Sequence, residues 1–379
     1  MTVLFLSNYF NHHQKPFCDA MFRLLGDSYH FVETEPMDDE RKSLGWGGIT
    51  YPSYVIRPEE AFTPETGALI DSADAVIIGS APNSLVKNRI RKGKLVFRYS
   101  ERPFKQGMEW KKYLPRLVLW NLRTPFWKPV YMLCASAYTA SDYAKMGMFL
   151  GKCYKWGYFP ETKRYEDVDD LIAAKQPGSI LWVARFIDWK HPEIPLEIAR
   201  RLKQEGYKFT LNMIGNGELL EATRKQVEDL GLSDCVHLPG SMSPENVRRY
   251  MEQSQVFLFT SDRNEGWGAV LNESMNSACA VVASRAIGSV PFLVEDGVNG
   301  DIYEDGNTDD LYRKVKALLD DPARRVQKSK NAYTTITEEW NAEVAAERFV
   351  ALFDELQSGK ISHSCPHGPG SIAERISDT

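Results

Sequence analysis

Two glutamates flank a Gly-Trp-Gly turn in the second half of the chain, and acids at this spacing could recognise a hydroxylated ligand. Glu265 and Glu273 lie eight positions apart in the segment RNEGWGAVLNE. The run VFLFTS before the turn predicts a strand and AVLNESMNSA after it predicts a helix, so the turn would present backbone N–H groups at a helix N-terminus, which favours anions. Carboxylates that faced a diphosphate directly would repel it. The pair therefore fits a nucleotide sugar, which carries hydroxyls on both sides of its diphosphate. Two ordinary helix glutamates are the simpler structural alternative.

Two cations occupy a similar position earlier in the chain. The run SILWVARF predicts a strand that ends near Arg185, and Lys190 lies five residues further on, just before a helix that begins near Pro192. A phosphate or diphosphate suits such a place, because Arg can hold two oxygens at once and Lys supplies a mobile point charge. Taken alone, two solvated surface cations would explain the pattern equally well.

A glycine-rich turn follows the next predicted strand. In MIGNGEL, Gly215 and Gly217 enclose Asn216. Glycine allows a backbone to pass close to a ligand, but it also serves any tight turn. The segment therefore adds to the case for a site only in combination with the cations and the acids.

The elements that must position these residues alternate between strand and helix. Apolar runs such as TVLFLS, DAVIIGS and KLVFRYS are separated by helix-length segments, and the pattern restarts after a polar stretch at 160–177. This alternation predicts α/β architecture with two Rossmann-like, doubly wound domains facing a central cleft, where ligands are expected. We predict an N-terminal acceptor-binding domain, a C-terminal donor-binding domain, a helix packing back toward the N-terminal domain and a flexible tail, with the bounds 1–165, 166–338, 339–360 and 361–379.

Composition excludes several classes of protein. The net charge of −5 gives no case for a nucleic-acid binder. The six cysteines form no CxxC pair, so reduced thiols in a cytoplasmic protein are expected rather than a zinc site or a disulfide framework. The opening residues lack the pattern of a signal peptide, and no run of 18 apolar residues predicts a membrane span.

Over about residues 178–322, the chain resembles retaining glycosyltransferase family 4, whose members have the GT-B fold and an E-x7-E signature. The resemblance is carried by VARFIDWK, MIGNGEL, VHLPGSMSPENVRRYMEQSQVFLFTS, NEGWGAVLNESM, AVVAS, AIGSVPFLVEDGVNGDIY and LYRKVKALLDDP, in the order and spacing of the family. It implies that Arg185 and Lys190 hold the donor diphosphate, and that Glu265 holds the donor sugar. These three are the catalytic candidates.

The resemblance extends to the rest of the donor site. It implies that Glu273 binds the ribose, that the turn offers backbone donors, and that the base lies near Leu238 and Pro239. The donor-binding residues so implied are Arg185, Lys190, Gly215, Asn216, Leu238, Pro239, Glu265, Gly266, Trp267, Gly268, Ala269 and Glu273.

The chain departs from the family pattern at several positions. His191 stands where a Gly commonly follows the Lys, and Ala278 and Ala280 replace the usual Gly and Pro before VVAS. In the N-terminal half, Ser80 stands at the position of a frequent His, so the residue nearest the reacting sugar is not identified. The candidates for the acceptor side are His12, His13 and Glu101.

The implied reaction is glycosyl transfer with retention, in which cations stabilise the leaving diphosphate. The donor segment contains no Asp-x-Asp metal motif, so we expect no divalent metal and no other cofactor.

Residues 87–128 form a basic and aromatic stretch. They contain thirteen Lys or Arg and two acids, interleaved with Trp110, Tyr113, Trp120, Phe126 and Trp127. A solvated helix face with core aromatics is one interpretation. The other is peripheral contact with an anionic membrane.

Together these patterns predict a retaining glycosyltransferase that moves a sugar from a nucleotide sugar to a glycan or lipid-linked acceptor. The expected context is synthesis of surface polysaccharide or lipopolysaccharide, in the cytoplasm or at the cytoplasmic face of the inner membrane. A cytosolic glycosyltransferase with a small-molecule acceptor and a non-catalytic nucleotide-sugar-binding subunit are the alternatives.

Overall fold

The computed structural model describes residues 1–38, 49–107, 110–359 and 365–377. The chain divides into two compact units, which consist of Met1–Glu161 with Asn341–Thr379 and of Thr162–Trp340. Each unit contains one parallel sheet with helices in the connections, so the prediction of two doubly wound α/β domains is confirmed.

The first unit contains a seven-stranded sheet in the order β3-β2-β1-β4-β5-β6-β7. Its strands are β1 Val3–Ser7, β2 Tyr29–Glu33, β3 Val55–Ile56, β4 Ala75–Ile78, β5 Val96–Ser100, β6 Val130–Cys134 and β7 Cys153–Lys155. Every residue of β1 and β4 is buried, as expected for central parallel strands that are covered on both faces. This burial explains why their sequences are continuous apolar runs.

Helices connect these strands and cover the sheet. They are α1 Lys15–Leu25, α2 Pro64–Ser72, α3 Ser84–Arg91, α4 Trp110–Arg123 and α5 Thr139–Lys145, with a short 3-10 turn at Gly26–Ser28. Pro16 lies in the first turn of α1, and the side chain of Thr63 caps α2 by accepting from the backbone N–H of Thr66 at 3.3 Å.

The second unit contains a six-stranded sheet in the order β10-β9-β8-β11-β12-β13. Its strands are β8 Ser179–Val183, β9 Thr210–Ile214, β10 Val236–Gly240, β11 Val256–Phe259, β12 Ala280–Ser284 and β13 Asp301–Tyr303. Its helices are α6 Val168–Ala173, α7 Glu193–Gln204, α8 Leu220–Asp229, α9 Pro244–Gln253, α10 Val270–Asn276, α11 Val290–Leu293, α12 Thr308–Asp320 and α13 Pro322–Thr334, with a 3-10 turn at Asp188–Lys190 and a π-helical turn at Thr335–Glu339. The indole of Trp182, on β8, is fully buried and donates to Thr260 Oγ1 at 2.9 Å.

The last helix, α14 Ala342–Ser358, belongs to the first unit. Asn341 caps it by accepting from the N–H of Val344 at 2.9 Å. Its Phe349 packs edge-on against Phe97 of β5 at 5.0 Å between ring centroids. The predicted return of the final helix to the N-terminal domain therefore agrees with the division of the chain into units.

The prediction of a flexible tail does not hold for residues 368–373. The N–H of Lys155 donates to Ser371 O at 2.7 Å, and the N–H of Ala373 donates to Cys153 O at 2.9 Å. Both Ser371 and Ala373 are buried. The segment forms hydrogen bonds with the otherwise unpaired edge of β7, which a reading of its Gly and Pro content could not anticipate. Residues 361–364 and 378–379 lie outside the described part of the chain.

Candidate functional site

The second sheet reverses its strand order beside β8. From β8 the chain runs through β9 and β10 on one side and through β11, β12 and β13 on the other. The loops that follow β8 and β11 therefore border the position where doubly wound sheets bind ligands. We call the loops 184–191 and 260–269 the second switch point. They contain both predicted cations and the first predicted acid.

A nearly buried ion pair joins the two loops of the second switch point. The ammonium of Lys190 contacts Glu265 Oε2, and the Ser261 hydroxyl donates to the same oxygen at 3.1 Å. The side chains of Lys190 and Glu265 are only 10% and 12% exposed, so removing one partner would leave a poorly solvated charge. Among the described residues, the hydrogen bonds of the Glu265 carboxylate all go to Oε2, and none goes to Oε1.

Trp189 holds the second cation beside this pair. The Arg185 guanidinium lies 5.8 Å from the centroid of the Trp189 ring, and Lys190 Nζ lies 4.3 Å from it. Arg185 is exposed. The N–H of Asp262 donates to Trp189 O at 3.1 Å, which fixes the two loops to each other. The two cations predicted to bind the diphosphate therefore lie near the same aromatic ring.

Sequence reasoning missed Trp189 and Ser261. Both carried a signal, since Trp189 directly precedes Lys190, and Ser261 is the polar residue that ends the run VFLFTS. Polar and aromatic residues at the carboxyl end of a central strand are candidates for a site in this fold.

The two glycines of the third loop are required by close backbone packing. A Cβ on Gly215 would lie 1.8 Å from Ala184 O, and one on Gly217 would lie 2.3 Å from Phe186 O. The N–H of Phe186 donates to Asn216 O at 2.9 Å. The loop is thus fastened to the segment that contains Arg185, which explains the glycines without a ligand, and donor contact by Gly215 and Asn216 stays a prediction.

Leu238 and Pro239 lie in β10, beside the same loop. The N–H of Gly215 donates to Gly240 O at 3.0 Å. Leu238 is buried in the core of the second unit, whereas Pro239 is exposed. Of the two residues predicted to lie near the base, only Pro239 therefore exposes its side chain.

The Gly266–Gly268 turn leads into α10, with Ala269 at its N-cap. The Trp267 side chain is fully buried, and its indole N–H donates to Asn272 Oδ1 at 2.9 Å. It therefore belongs to the core, and only the backbone of this residue could meet a ligand. Gly268 has φ +80°, and a Cβ there would lie 2.3 Å from Phe259 Cζ.

Glu273 lies one turn inside α10 and is half-buried. Burial raises the pKa of its carboxyl group, and the positive charge of Arg248 opposes that shift. Among the described residues, no contact joins Glu273 to Lys190 or Glu265. The structure therefore brings Lys190 and Glu265 together, places Arg185 beside them through Trp189, and leaves Glu273 apart as an acid without a neutralising ion pair in the described part of the chain.

Two departures from the resembled family occupy left-handed backbone conformations. His191 and Ala278 both have φ +52°, and these are the positions where the family commonly has Gly. The His191 imidazole compensates through its contacts, since Nδ1 lies 2.9 Å from Glu193 Oε1 and Nε2 lies 3.7 Å from Asp262 Oδ2. The hydrogen bond with Glu193 raises the pKa of His191.

The first sheet has a corresponding reversal between β1 and β4, and a cavity of about 530 Å³ opens there within the first unit. We call the loops 8–14 and 79–83 the first switch point. His13, Glu101 and Ser80 line the cavity, whereas His12 is not among the described lining residues. Burial lowers the pKa of His13 to about 3, with a smaller contribution from His12, so this imidazole is neutral at physiological pH.

Glu101 is the acid of this cavity, and it is already bonded within the protein. Its carboxylate accepts from Tyr158 Oη at 2.7 Å and pairs with Lys105. The nearby Arg102 forms a buried ion pair with Asp142 at 3.1 Å. The predicted acceptor-side residues His13 and Glu101 therefore share one cavity.

No group of three His, Cys, Asp or Glu side chains suited to a metal ion occurs within 1–38, 49–107, 110–359 and 365–377. Over the same residues, the helices are too short or too polar to cross a membrane.

Two doubly wound sheets, with polar residues at the switch point of each, define the GT-B class of architecture. Residues 164–335, a little under half the chain, match the family model described as Glycosyl transferases group 1. Anabaena HepE, solved in complex with UDP, superposes with a TM-score of 0.68 at 15% identity and covers 94% of this chain and 100% of its own. That likeness establishes the fold.

The curated relatives match about half of the chain. The amylovoran biosynthesis glycosyltransferase AmsK of Erwinia amylovora is 30% identical over 189 residues, which are 48% of this chain and 46% of AmsK. The putative colanic acid biosynthesis glycosyltransferase WcaL of Escherichia coli is 26% identical over 190 residues, 48% of this chain and 47% of WcaL. The chain spans about half the length of the curated relatives it matches.

Proposed function

We propose that this protein is a retaining glycosyltransferase that uses a nucleotide-sugar donor and a glycan or lipid-linked acceptor in the synthesis of a surface polysaccharide or lipopolysaccharide. The observation that carries the proposal is the Lys190–Glu265 pair at the switch point of a domain that matches the Glycosyl transferases group 1 model. HepE, which shares the fold, binds UDP, and AmsK and WcaL are named for polysaccharide synthesis.

We assign a part of the donor to each charged group. Lys190 and Arg185, which both lie near the Trp189 ring, bind the diphosphate. Glu265 accepts from a sugar hydroxyl through Oε1, since Oε2 is already bonded to Lys190 and Ser261. Burial raises the pKa of Glu273, and this carboxyl group has no ion pair among the described residues. We assign it to accept a hydrogen bond from a ribose hydroxyl. A carboxylate hydrogen-bonded to a neutral hydroxyl contributes roughly 1.5–3 kcal/mol.

Transfer breaks the bond between the anomeric carbon and the diphosphate oxygen, and the acceptor oxygen bonds to the same face of the sugar. The acceptor proton passes to the leaving phosphate oxygen, so no protein base is needed. Lys190 and Arg185 stabilise the negative charge that develops on the diphosphate. The cations take the place that a divalent metal would fill, and we expect transfer to continue in the presence of a chelator.

The 530 Å³ cavity of the first unit is the proposed acceptor site. Its lining combines tyrosine rings with Asn, Gln, Ser and Glu side chains, which suit the apolar faces and hydroxyls of a sugar. Because His13 is neutral, it can accept or donate one hydrogen bond without attracting an anion.

We also propose peripheral contact with an anionic membrane through the basic and aromatic stretch. Val118, Leu122, Phe126 and Trp127 are between 54% and 75% exposed, whereas Trp120 is half-buried. The side chains of Trp110 and Tyr113 lie outside what the structure describes. Sedimentation with vesicles containing anionic lipid tests this contact, and binding that persists unchanged at high salt or on neutral vesicles would contradict it.

A panel of nucleotide sugars tests the proposed activity. A donor that binds only the folded protein raises its melting temperature, and NMR of the product then gives the anomeric configuration. We expect one base to be favoured and the donor configuration to be kept. A protein that no nucleotide sugar stabilises, or a product of inverted configuration, would contradict the proposal.

A further inference from the structure

His191 directly follows Lys190, and its imidazole lies between two carboxylates that belong to different elements. Nδ1 is 2.9 Å from Oε1 of Glu193, the first residue of α7, and Nε2 is 3.7 Å from Oδ2 of Asp262, in the loop after β11. The imidazole is 30% exposed, so it is partly removed from solvent. We call His191, Glu193 and Asp262 the His191 bridge.

The two acids determine which form of the imidazole fits between them. A neutral imidazole has one N–H donor and one nitrogen lone pair, whereas an imidazolium donates from both nitrogens. If Nδ1 donates to Glu193, the neutral ring turns the lone pair of Nε2 toward the Asp262 carboxylate, which repels it. Only the imidazolium presents a proton to both acids. The geometry of the bridge therefore favours the protonated form of His191.

Acids from three other elements favour a positive charge on the ring: Glu193 of α7, Asp262 of the loop after β11 and Asp305 of the loop after β13. The hydrogen bond with Glu193 has the largest influence and raises the pKa of His191, while burial acts against it. The N-terminal end of α7 also acts against a cation, and within its own turn the ring follows Asp188 and Lys190. The stabilisation from the bridge is therefore complete below the unfolded-state pKa of the imidazole and is lost as the pH rises through the folded-state pKa.

The His191 bridge is a second ionic link between the two loops of the second switch point. The consecutive residues Lys190 and His191 contact two acids of the other loop, Glu265 and Asp262, which are three positions apart. The Thr260 hydroxyl also donates to Lys190 O at 2.8 Å. A change in the charge of His191 therefore acts on the segment that positions the Lys190 ammonium.

Loss of the His191 proton would affect a bound diphosphate in two ways. Repulsion between Nε2 and the Asp262 carboxylate would loosen the link between the loops, so Lys190 would be less firmly positioned. The carboxylates of Glu193 and Asp262 would also lose the cation that neutralises them, and they would then repel an anion nearby. Both effects weaken the binding of a diphosphate as the pH rises.

We propose that the imidazolium of His191 is a positioning group of the donor site, and that it makes the affinity for the donor diphosphate fall as the pH rises. The inference rests on the proposed function, because it adds regulation by pH to the same site. The resembled family commonly has Gly at this position, and Gly can form neither contact. The resemblance therefore does not imply a pH dependence of this origin.

The His191 bridge can be measured without any donor. In the full chain with isotope-labelled histidine, the signal of His191 is identified by its loss in His191→Asn and is titrated by NMR. Because Asp262 favours the imidazolium, Asp262→Asn should lower the pKa of His191. The control Asp229→Asn, at an acid that is 63% exposed in the same unit, should leave that pKa unchanged. An equal pKa of His191 in both variants would overturn the bridge.

Donor affinity is measured by titration calorimetry with UDP, GDP, ADP and CDP at about pH 5.5 and about pH 9, on either side of the ordinary imidazole pKa. At each pH, the affinity of the unaltered protein is divided by that of His191→Asn, so the titration of the ligand itself cancels. Asn is matched to the site because it tolerates a left-handed backbone. We expect this ratio to fall by about threefold to fivefold between the two pH values, the effect of one partly exposed charge. His367→Asn, at an exposed residue of the first unit, should bind like the unaltered protein at both.

A permanent cation separates the effect of charge from the effect of the ring. His191→Arg carries a planar group with several donors that cannot be deprotonated. Relative to His191→Asn, this variant should bind the diphosphate more tightly at both pH values and by the same factor. If the Asn and Arg variants lost affinity alike, or if the ratio for the unaltered protein did not change with pH, His191 would have only a structural role and the proposal would be wrong.

The two sets of measurements separate this inference from the proposed function. If Asp262→Asn lowers the pKa of His191 and none of the four nucleoside diphosphates binds at either pH, the donor assignment fails. The regulation of donor binding then fails with it, while the bridge stands. If a nucleoside diphosphate binds with a ratio that does not depend on pH, the donor assignment stands and the inference about His191 is wrong.

Discussion

The two switch points occupy the same topological place in two parallel sheets, yet they are built in opposite ways. In the second, Lys190 and Glu265 are already in contact and the glycine loop lies directly on the segment of Arg185. In the first, loops after β1, β4 and β5 surround an open cavity of about 530 Å³, where His13 is neutral and Glu101 is already paired with Lys105. The fold determines where each switch point lies, and the side chains determine whether that switch point contains a fixed ion pair or an open polar cavity.

This difference matches the two ligands proposed. A diphosphate is small, highly charged and the same in every donor, so a rigid set of cations can serve it. A glycan acceptor is large and varied, and it needs volume and many neutral hydrogen-bonding groups. Matched substitutions in the two switch points test this difference.

The largest effect is expected from Lys190→Ala. Loss of one preorganised donor to developing charge lowers turnover by roughly 10²–10³-fold, so transfer should fall by at least that factor. Measuring kcat with a saturating acceptor checks this value. Lys225→Ala, a change at a lysine that is 78% exposed in the same unit, should leave transfer normal.

Stability must be measured beside activity, because Lys190→Ala also leaves Glu265 unpaired in a nearly buried position. The double variant Lys190→Ala/Glu265→Gln removes that charge and should recover much of the lost melting temperature without recovering transfer. If stability and transfer returned together, Lys190 would be a structural residue and the contrast between the two regions would disappear.

The second-largest effect is expected from adding a methyl group to the backbone of each switch point. At Gly215 the new Cβ would lie 1.8 Å from Ala184 O, whereas at Gly79, which follows β4, it would lie 3.4 Å from its nearest neighbours, Ser7 Oγ and Tyr99 Cδ1. We expect Gly215→Ala to lower the free energy of unfolding by about 3 kcal/mol or more and Gly79→Ala to lower it by less than about 1 kcal/mol. Denaturant titration checks both, and equal losses would show that the two regions are equally tight.

Glu273→Gln should weaken the donor by about tenfold, the order expected for one hydrogen bond to a charged group. The change removes a charge but keeps the shape of the side chain. Its effect should appear in the KM for the donor and little in kcat, because the ribose does not react. An unchanged KM would remove Glu273 from the donor site.

The same variant has an opposite effect on stability. Burial raises the pKa of Glu273, so folding disfavours its ionised form. The protonated Glu273 carboxyl group stabilises the folded state relative to the ionised form. This stabilisation is complete below the unfolded-state pKa and is lost as the pH rises through the folded-state pKa. At pH 7 and without ligand, the Glu273→Gln variant should therefore melt at a higher temperature than the unaltered protein. This gain in melting temperature should vanish below about pH 4. A gain that persisted there would show that the buried, ionised carboxylate of Glu273 is not its cause.

The sequence predicted most of both sheets because central parallel strands are covered on both faces. Runs such as those of β1 and β11 are apolar throughout. The strands β7 and β13 were missed because they have only three residues each and lie at sheet edges, where CYK and DIY show no apolar run.

The candidate sites differ in the same way. Lys190 and Glu265 could be predicted because each lies within a few residues of a recognisable strand. The first cavity was predicted only in part, through His13 and Glu101, because its lining comes from segments spread over residues 7–158, which only the strand order brings together.

The smallest effect concerns the backbone beside Lys190. His191 has φ +52°, a conformation that strains any residue with a Cβ by about 1–2 kcal/mol and that glycine adopts without strain. Glycine also loses more chain entropy on folding, which offsets part of this advantage. His191→Gly should therefore be more stable than His191→Ala by up to about 1 kcal/mol, although both lose the contact with Glu193. The matched position in the first unit is Lys92, the exposed C-cap of α3 with φ −73°, where the order should reverse and Ala should be the more stable by about 0.5–1 kcal/mol. Thermal unfolding of the four variants decides the point. If Ala were also preferred at residue 191, the left-handed turn would not be what positions Lys190 beside Glu265. The tight packing of the second switch point would then depend only on the ion pair and the glycine loop.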